Sequence, residues 1–130
     1  MWECPDCSFS ENSNETIECV GCGFLLFQPL KLVSEDTGET RTFKLQLELG
    51  RGLLKTFAGD DAQYAAEPQF RVFPNSSKEW VLEKIPRLKN PTLHNGVEPT
   101  DDQVVLKDND IISIGSRTSD VQKMKLVAHL

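Results

Sequence analysis

The residues best suited to a specific chemistry are four cysteines, the only cysteines among the 130 residues. They form two pairs, CPDC at 4–7 and CVGC at 19–22, separated by eleven residues. Each pair can present both sulfurs to one side of a tight turn, and Pro5 and Gly21 inside the pairs suit such turns. Gly23, just past the second pair, suits a backbone with positive φ. Three chemistries could use these thiols: a metal cage, a redox couple or structural disulfides. Two Cys-x2-Cys pairs favour the cage, with zinc as the metal. A thioredoxin-like couple needs one pair where a strand leads into a helix, and disulfides need an oxidising compartment. Cys4, Cys7, Cys19 and Cys22 would fill a tetrahedral zinc and leave no position for water or substrate, so the expected role of the single ion is structural. A segment of about 25 residues has too little apolar surface to fold without it.

Charge separates this segment from the rest of the chain. Residues 1–27 carry Glu3, Asp6, Glu11, Glu15 and Glu18 and no Lys or Arg, whereas 28–130 hold all 14 basic residues against 15 acidic ones. Four thiolates around a dication would add a net charge of about -2 to the front segment. A phosphate backbone is repelled by such a surface, so nucleic acid is disfavoured as a partner. The longest apolar run, GFLLF at 23–27, is far shorter than the ~20 residues that cross a bilayer. The start, MWECPDC, lacks the basic residues and apolar core of a secretion signal. The expectation is a cytoplasmic protein, or a nuclear one in a eukaryote, with no membrane partner. A composition with 38% hydrophobic and 26% charged residues and a mean hydropathy of -0.36 suits a soluble globular protein, and the length allows one ordinary core plus a small appendage.

From residue 28 the pattern becomes short runs of period two. LKLV at 30–33, TFKLQLEL at 42–49, QFRVF at 69–73, WVLEKI at 80–85, QVVL at 103–106, IISIG at 111–115 and MKLVAHL at 124–130 read as strands. In the second run Phe43, Leu45, Leu47 and Leu49 are expected to line one face. Turn chemistry falls between the runs, and Asn95-Gly96 is a hairpin signal because both central residues of a type I′ turn need positive φ. Many short strands without a helical period predict an antiparallel β-sandwich over 28–130, preceded by a Cys4 finger or ribbon over 1–27. The short apolar join FLLFQP at 24–29 predicts that the finger packs on the sandwich.

The front segment, WECPDCSFSENSNETIECVGCGF, resembles the Ran-binding-protein type of zinc finger through Trp2, Ser8, Phe9 and Asn12 around the cysteines. Its central loop is one residue longer than is usual in that family, and a generic two-knuckle zinc ribbon is the alternative. Members bind ubiquitin, a small GTPase or single-stranded RNA. The RNA branch uses arginines absent here, so the resemblance implies a protein surface formed by Trp2, Ser8 and Phe9. The alternative for Trp2 and Phe9 is that they only cover the metal site in a module with almost no core.

The stretch LKNPTLHNGVEPTDDQVVLKDNDIISIGSR at 88–117 resembles the second half of a forkhead-associated (FHA) domain, a β-sandwich that reads phosphothreonine. LELGRGLL at 47–54 matches that family's Gly-Arg after its third strand. The resemblance implies that Arg51 is the principal phosphate ligand, that Asn90 holds the peptide main chain, and that Lys89 and Arg87 set preference for an acidic or polar residue further along it. The match breaks at two positions: Pro91 replaces the first Gly of the family's Asn-Gly-Thr, and Ala66 stands where the family has a phosphate-binding Ser. A missing charge-assisted hydrogen bond costs about 1.5–3 kcal/mol, roughly ten- to hundredfold in affinity. Lys55, Arg71 or the Tyr64 hydroxyl could compensate. No nucleophile is paired with a base and no glycine loop cradles phosphate, so no enzymatic activity is expected. Two readings follow: a non-enzymatic adapter whose sandwich binds a threonine-phosphorylated protein and whose finger binds a second protein, or an assembly subunit with a degenerate, phosphate-independent site.

Overall fold

The computed structural model describes residues 1–130. Nine strands form two antiparallel sheets: β1 Leu30–Ser34, β2 Thr40–Phe43, β3 Leu47–Leu49, β4 Phe70–Pro74, β5 Trp80–Lys84, β6 Thr92–His94, β7 Gln103–Val105, β8 Ile111–Ile114 and β9 Lys123–His129. One sheet runs β2-β1-β9-β8-β6 and the other β3-β4-β5-β7. Alternation dictates which face is inside. In β9, Met124, Leu126 and Ala128 are buried while Lys123, Lys125, Val127 and His129 are only half-buried. Leu30 and Leu32 of β1 and Phe70 and Val72 of β4 behave likewise, and the inner faces close on one core that includes Trp80, Leu82, Ile112 and Ile114. Burying each such side chain is worth about 1.5–3 kcal/mol. No helix is long and apolar enough to cross a membrane.

Three local features depart from the sequence pattern. The run at 42–49 is not one strand: β2 ends at Phe43 in the five-stranded sheet, β3 starts at Leu47 in the other, and Leu45 between them is 51% exposed. Both strands alternate, so the pattern runs unbroken across the handover. A single helical turn, α1 at Arg51–Lys55, and a 3-10 turn at Asp60–Tyr64 follow, each too short to leave a period in the sequence. Strand β6 has three residues and is equally silent. The Asn95-Gly96 hairpin forms as expected, with φ of 51° and 84° and His94 and Val97 exchanging backbone hydrogen bonds.

The join at 24–29 holds the finger against the sandwich. Ile17 is 1% exposed and belongs to the sandwich core, with Leu26 and Phe27 packed alongside. Its amide donates to Lys44 O (2.8 Å), Gln46 N donates to Glu15 O (2.7 Å) and Leu26 N donates to Ile17 O (2.8 Å), so the finger pairs with the segment that crosses between sheets. Phe27 meets Trp80 edge-on at 6.3 Å, and Trp80 Nε1 donates to Gln28 O.

At the β6–β8 corner Asp110 Oδ1 accepts from Asn95 Nδ2 (3.1 Å), while Asp110 Oδ2 accepts from Lys107 N (2.9 Å) and lies 2.7 Å from His94 Nε2. Burial raises the Asp110 pKa, but the bonds from His94, Lys107 and Asn95 outweigh it and hold the carboxyl below its ordinary value. A depressed folded pKa means that the contribution to stability is complete above the unfolded value of about 3.9 and fades as pH falls through the folded one. Urea midpoints of the wild type and Asp110→Asn are therefore expected to differ at neutral pH and to converge in acid. A gap that stays constant down to the lowest pH at which both fold would count against this account.

Candidate functional site

The two cysteine pairs sit on two knuckles. Cys4 N donates to Phe9 O and Cys19 N to Phe24 O, both at 2.8 Å, which folds each pair back on itself. All four sulfurs lie within 4.8 Å of one another, with Cys4–Cys22 and Cys7–Cys19 at 3.6 Å. Sulfurs around a tetrahedral zinc, each at about 2.3 Å, stand about 3.8 Å apart, so the cluster has the size of such a cage. Backbone amides aim at two of the sulfurs, Asp6 N and Cys7 N at Cys4 Sγ and Gly21 N at Cys19 Sγ. Asn12 is fully buried, its Oδ1 accepts from Val20 N, and its Nδ2 has no hydrogen-bond partner. At Cys19 burial pushes the thiol up, but the Asn12 side chain and the amides of Cys22 and Gly21 pull it down to about 6. At Cys22 the Phe24 amide favours the thiolate, but the neighbouring Cys7 sulfur and burial overcome it and push the thiol up to about 12. Four sulfurs this close cannot all bear charge alone, and a dication is what would let them. The residues fit a metal ion.

Trp2, Ser8 and Phe9 are divided between two surfaces. Trp2 is half-buried, its Nε1 donates to Ser13 O and Thr16 O, and it lines a groove of about 300 Å³ with Ile17 and Phe27 of the finger and Pro74 of the sandwich. Ser8 is exposed with φ of 67°, and Phe9 is half-buried beside Gly21, where an added Cβ would touch it at 3.5 Å.

At one end of the sandwich a cleft of about 290 Å³ brings together Arg51, Ala66, Lys89 and Asn90, with Tyr64 and Gln69. Arg51 opens α1; its amide donates to Ala66 O (3.1 Å) and its Nε to Ala65 O (3.1 Å). This tether leaves the two terminal nitrogens of the guanidinium without a partner. No carboxylate lines the cleft. The nearby Glu67 turns instead to Gly52 N (2.8 Å), filling the space above Gly50. Arg87 is exposed with φ of 64° and is not part of the lining, nor are Lys55 and Arg71; Arg71 pairs with Glu83 at 2.7 Å. Asn90 Nδ2 donates to Tyr64 O (3.1 Å), holding the two loops together.

Gln69 is the residue whose role the sequence concealed. It is fully buried, its Nε2 donates to Asn90 O (3.0 Å) and Thr92 Oγ1 (2.9 Å), and its Oε1 accepts from Ala66 N (2.8 Å). Thr92 in turn donates to Gln69 O. One side chain thus joins the loop of Ala66 to the loop of Asn90. Gln69→Ala would leave those groups unpaired and is expected to cost about 2–3 kcal/mol in chemical denaturation. A loss below about 0.5 kcal/mol would show that water replaces the amide.

No family model matches the chain, and no curated protein matches it. Among solved structures, the solution structure of the FHA domain of an Arabidopsis thaliana hypothetical protein is similar, with 18% identity, a TM-score of 0.58 and 93% of each chain covered. At that identity the likeness is one of fold. The chain has an FHA-like β-sandwich fold, with a four-cysteine cluster at its N-terminus capable of holding a metal ion.

Proposed function

We propose that the protein is a non-catalytic adapter that binds a partner through phosphothreonine in the Arg51 cleft, with a second protein bound by the finger. The observation that carries this reading is the cleft's electrostatics: a chain of net charge -6 devotes one concavity to Arg51 and Lys89 with no carboxylate in its lining. Arg51 is tethered through Nε, so both terminal nitrogens can meet phosphate oxygens without first being ordered. Lys89 adds a second positive charge, and the Asn90 amide oxygen is available to accept from a peptide N–H. Cys4, Cys7, Cys19 and Cys22 would hold one zinc ion, which supplies the finger with the core its sequence lacks. The finger's acidic surface favours a basic partner, with Trp2, Ser8 and Phe9 as contacts.

A second reading rests on two features of the same cleft. Ala66 offers no hydroxyl, and Asn90 Nδ2 is already engaged by Tyr64 O. In that case the sandwich is a phosphate-independent assembly surface. Binding of the metal-loaded protein to a degenerate phosphothreonine peptide library, against the same library unphosphorylated, separates the two. Phosphate-dependent capture that inorganic phosphate competes away is expected. Equal capture of both libraries would establish the phosphate-independent surface instead.

A further inference from the structure

The groove of about 300 Å³ that Trp2 lines has walls from both modules and lies away from the Arg51 cleft. Strand β4 sets the separation: Gln69 of the cleft precedes it and Pro74 of the groove ends it, which places the two about 15 Å apart. The finger wall carries the Trp2 ring, which its two Nε1 bonds, each 3.0 Å, fix in a half-buried position. An aromatic face held in this way needs no ordering before it meets a ligand. The opposite wall is Pro74 and the β4–β5 turn. Asn75 builds that turn, its Oδ1 accepting from Ser77 N (3.0 Å) and Glu79 N (2.9 Å), and Ser76 is exposed at the rim. The turn carries Lys78 and Glu79 and is close to neutral, whereas Glu3 and Glu15 flank the finger wall. Both of these carboxylates are exposed, neither is in an ion pair, and residues 1–27 hold no Lys or Arg.

An apolar hollow with an aromatic wall, bordered by unpaired carboxylates, suits one large apolar side chain presented among basic residues. We infer that this groove docks such a segment of a second protein, its apolar side chain between Trp2 and Pro74 and its basic residues over Glu3 and Glu15; this rests on the reading that the finger binds a protein. Neither module makes the site alone, since the finger lacks the Pro74 wall and the sandwich lacks Trp2 and Ile17. Of Trp2, Ser8 and Phe9, only Trp2 lines it. Because β4 separates the groove from the Arg51 cleft, a ligand here leaves that cleft open, and two partners can be held at once.

The test titrates the metal-loaded protein with short synthetic peptides that have a central Leu, Phe or Ala and flanks of Lys, Ser or Asp. A Lys-flanked Leu or Phe peptide is expected to bind about tenfold or more tightly than its Ala counterpart, and more tightly than the Asp-flanked one. In two-dimensional NMR spectra the signals that move should be the Trp2 indole N–H and the amides of Asn14, Asn75 and Ser76. Ser76→Trp fills the groove from an exposed position, and with an unchanged thermal melt it should abolish binding. Glu15→Gln should weaken binding about two- to threefold and Lys78→Asn should tighten it by about as much, while Arg51→Ala leaves it unchanged. Wild-type affinity in Ser76→Trp, no advantage of Lys over Asp flanks, or shifts confined to Ser8 and Phe9 overturns the groove and leaves a finger that binds protein elsewhere. No binding of any peptide at millimolar concentration overturns the groove and the finger's reading together.

Discussion

Removing the metal from the purified chain with a chelator is expected to lower the melting temperature of the sandwich by about 10 °C or more, and not merely to unfold the finger. The finger has almost no core of its own, and its one fully buried aliphatic residue, Ile17, is spent inside the sandwich. Without the four-sulfur cage the ends of the loop that carries residues 15–18 are released, and the pairing of Ile17 with Lys44 and of Glu15 with Gln46 is expected to weaken. The sandwich would then lack Ile17 and expose Leu26, Phe27 and one face of Trp80, a defect comparable to a large-to-small core substitution of about 2–5 kcal/mol. Ile17→Ala in the metal-loaded protein should reproduce much of that loss, and chelation of this variant should add less than the sum, because both act on the same packing. Scanning calorimetry with and without chelator decides the matter. A sandwich transition that stays at the same temperature would show that the finger is an independent appendage.

Arg51→Ala is expected to weaken phosphothreonine peptide binding by about a hundredfold, to the level of the unphosphorylated peptide. The side chain is tethered to Ala65 O through Nε alone, so Arg51→Lys keeps a charge but loses both the tether and the two-pronged contact, and a loss of about tenfold is expected. Ala66 makes the opposite experiment available. Its amide donates to Gln69 and its carbonyl accepts from the Arg51 amide, which holds it in the lining of the same cleft as the guanidinium. Ala66→Ser is expected to tighten phosphopeptide binding by about tenfold by adding one hydrogen bond to a charged ligand. Isothermal titration of the three variants with one peptide, at two salt concentrations, reads both effects, and wild-type affinity should fall as salt rises. If Arg51→Ala binds as tightly as the wild type, the cleft does not read phosphate.

The cysteine cluster was legible because its geometry is local: Cys-x2-Cys spacing brings two sulfurs together within one turn, whatever the rest of the chain does. Most strands were legible for a related reason, since burial of one face imposes alternation over four or five residues. Ile17 was not, because a single apolar residue in the otherwise polar stretch 10–18 has no period and its burial depends on a sandwich that begins thirteen residues later. Gln69 was hidden differently. A glutamine in isolation reads as exposed, and it is buried here only because Asn90, Thr92 and Ala66 satisfy its amide together.

By itself the amino-acid sequence determined the four-sulfur cage, the acidic front segment, the all-β class and the residues, Arg51 and Lys89, from which an anion site could be built. Only the tertiary structure decided that Arg51, Lys89 and Asn90 share a cleft while Arg87 does not, and that Lys123 lies over the Tyr64 ring at its edge. It also decided that the finger and the sandwich share a core. The reason is the range of the interactions. Turn geometry and alternation act over a few residues and leave their mark in the chain, whereas hydrogen bonds between loops and the packing of two sheets join positions whose separation along the sequence carries no signal.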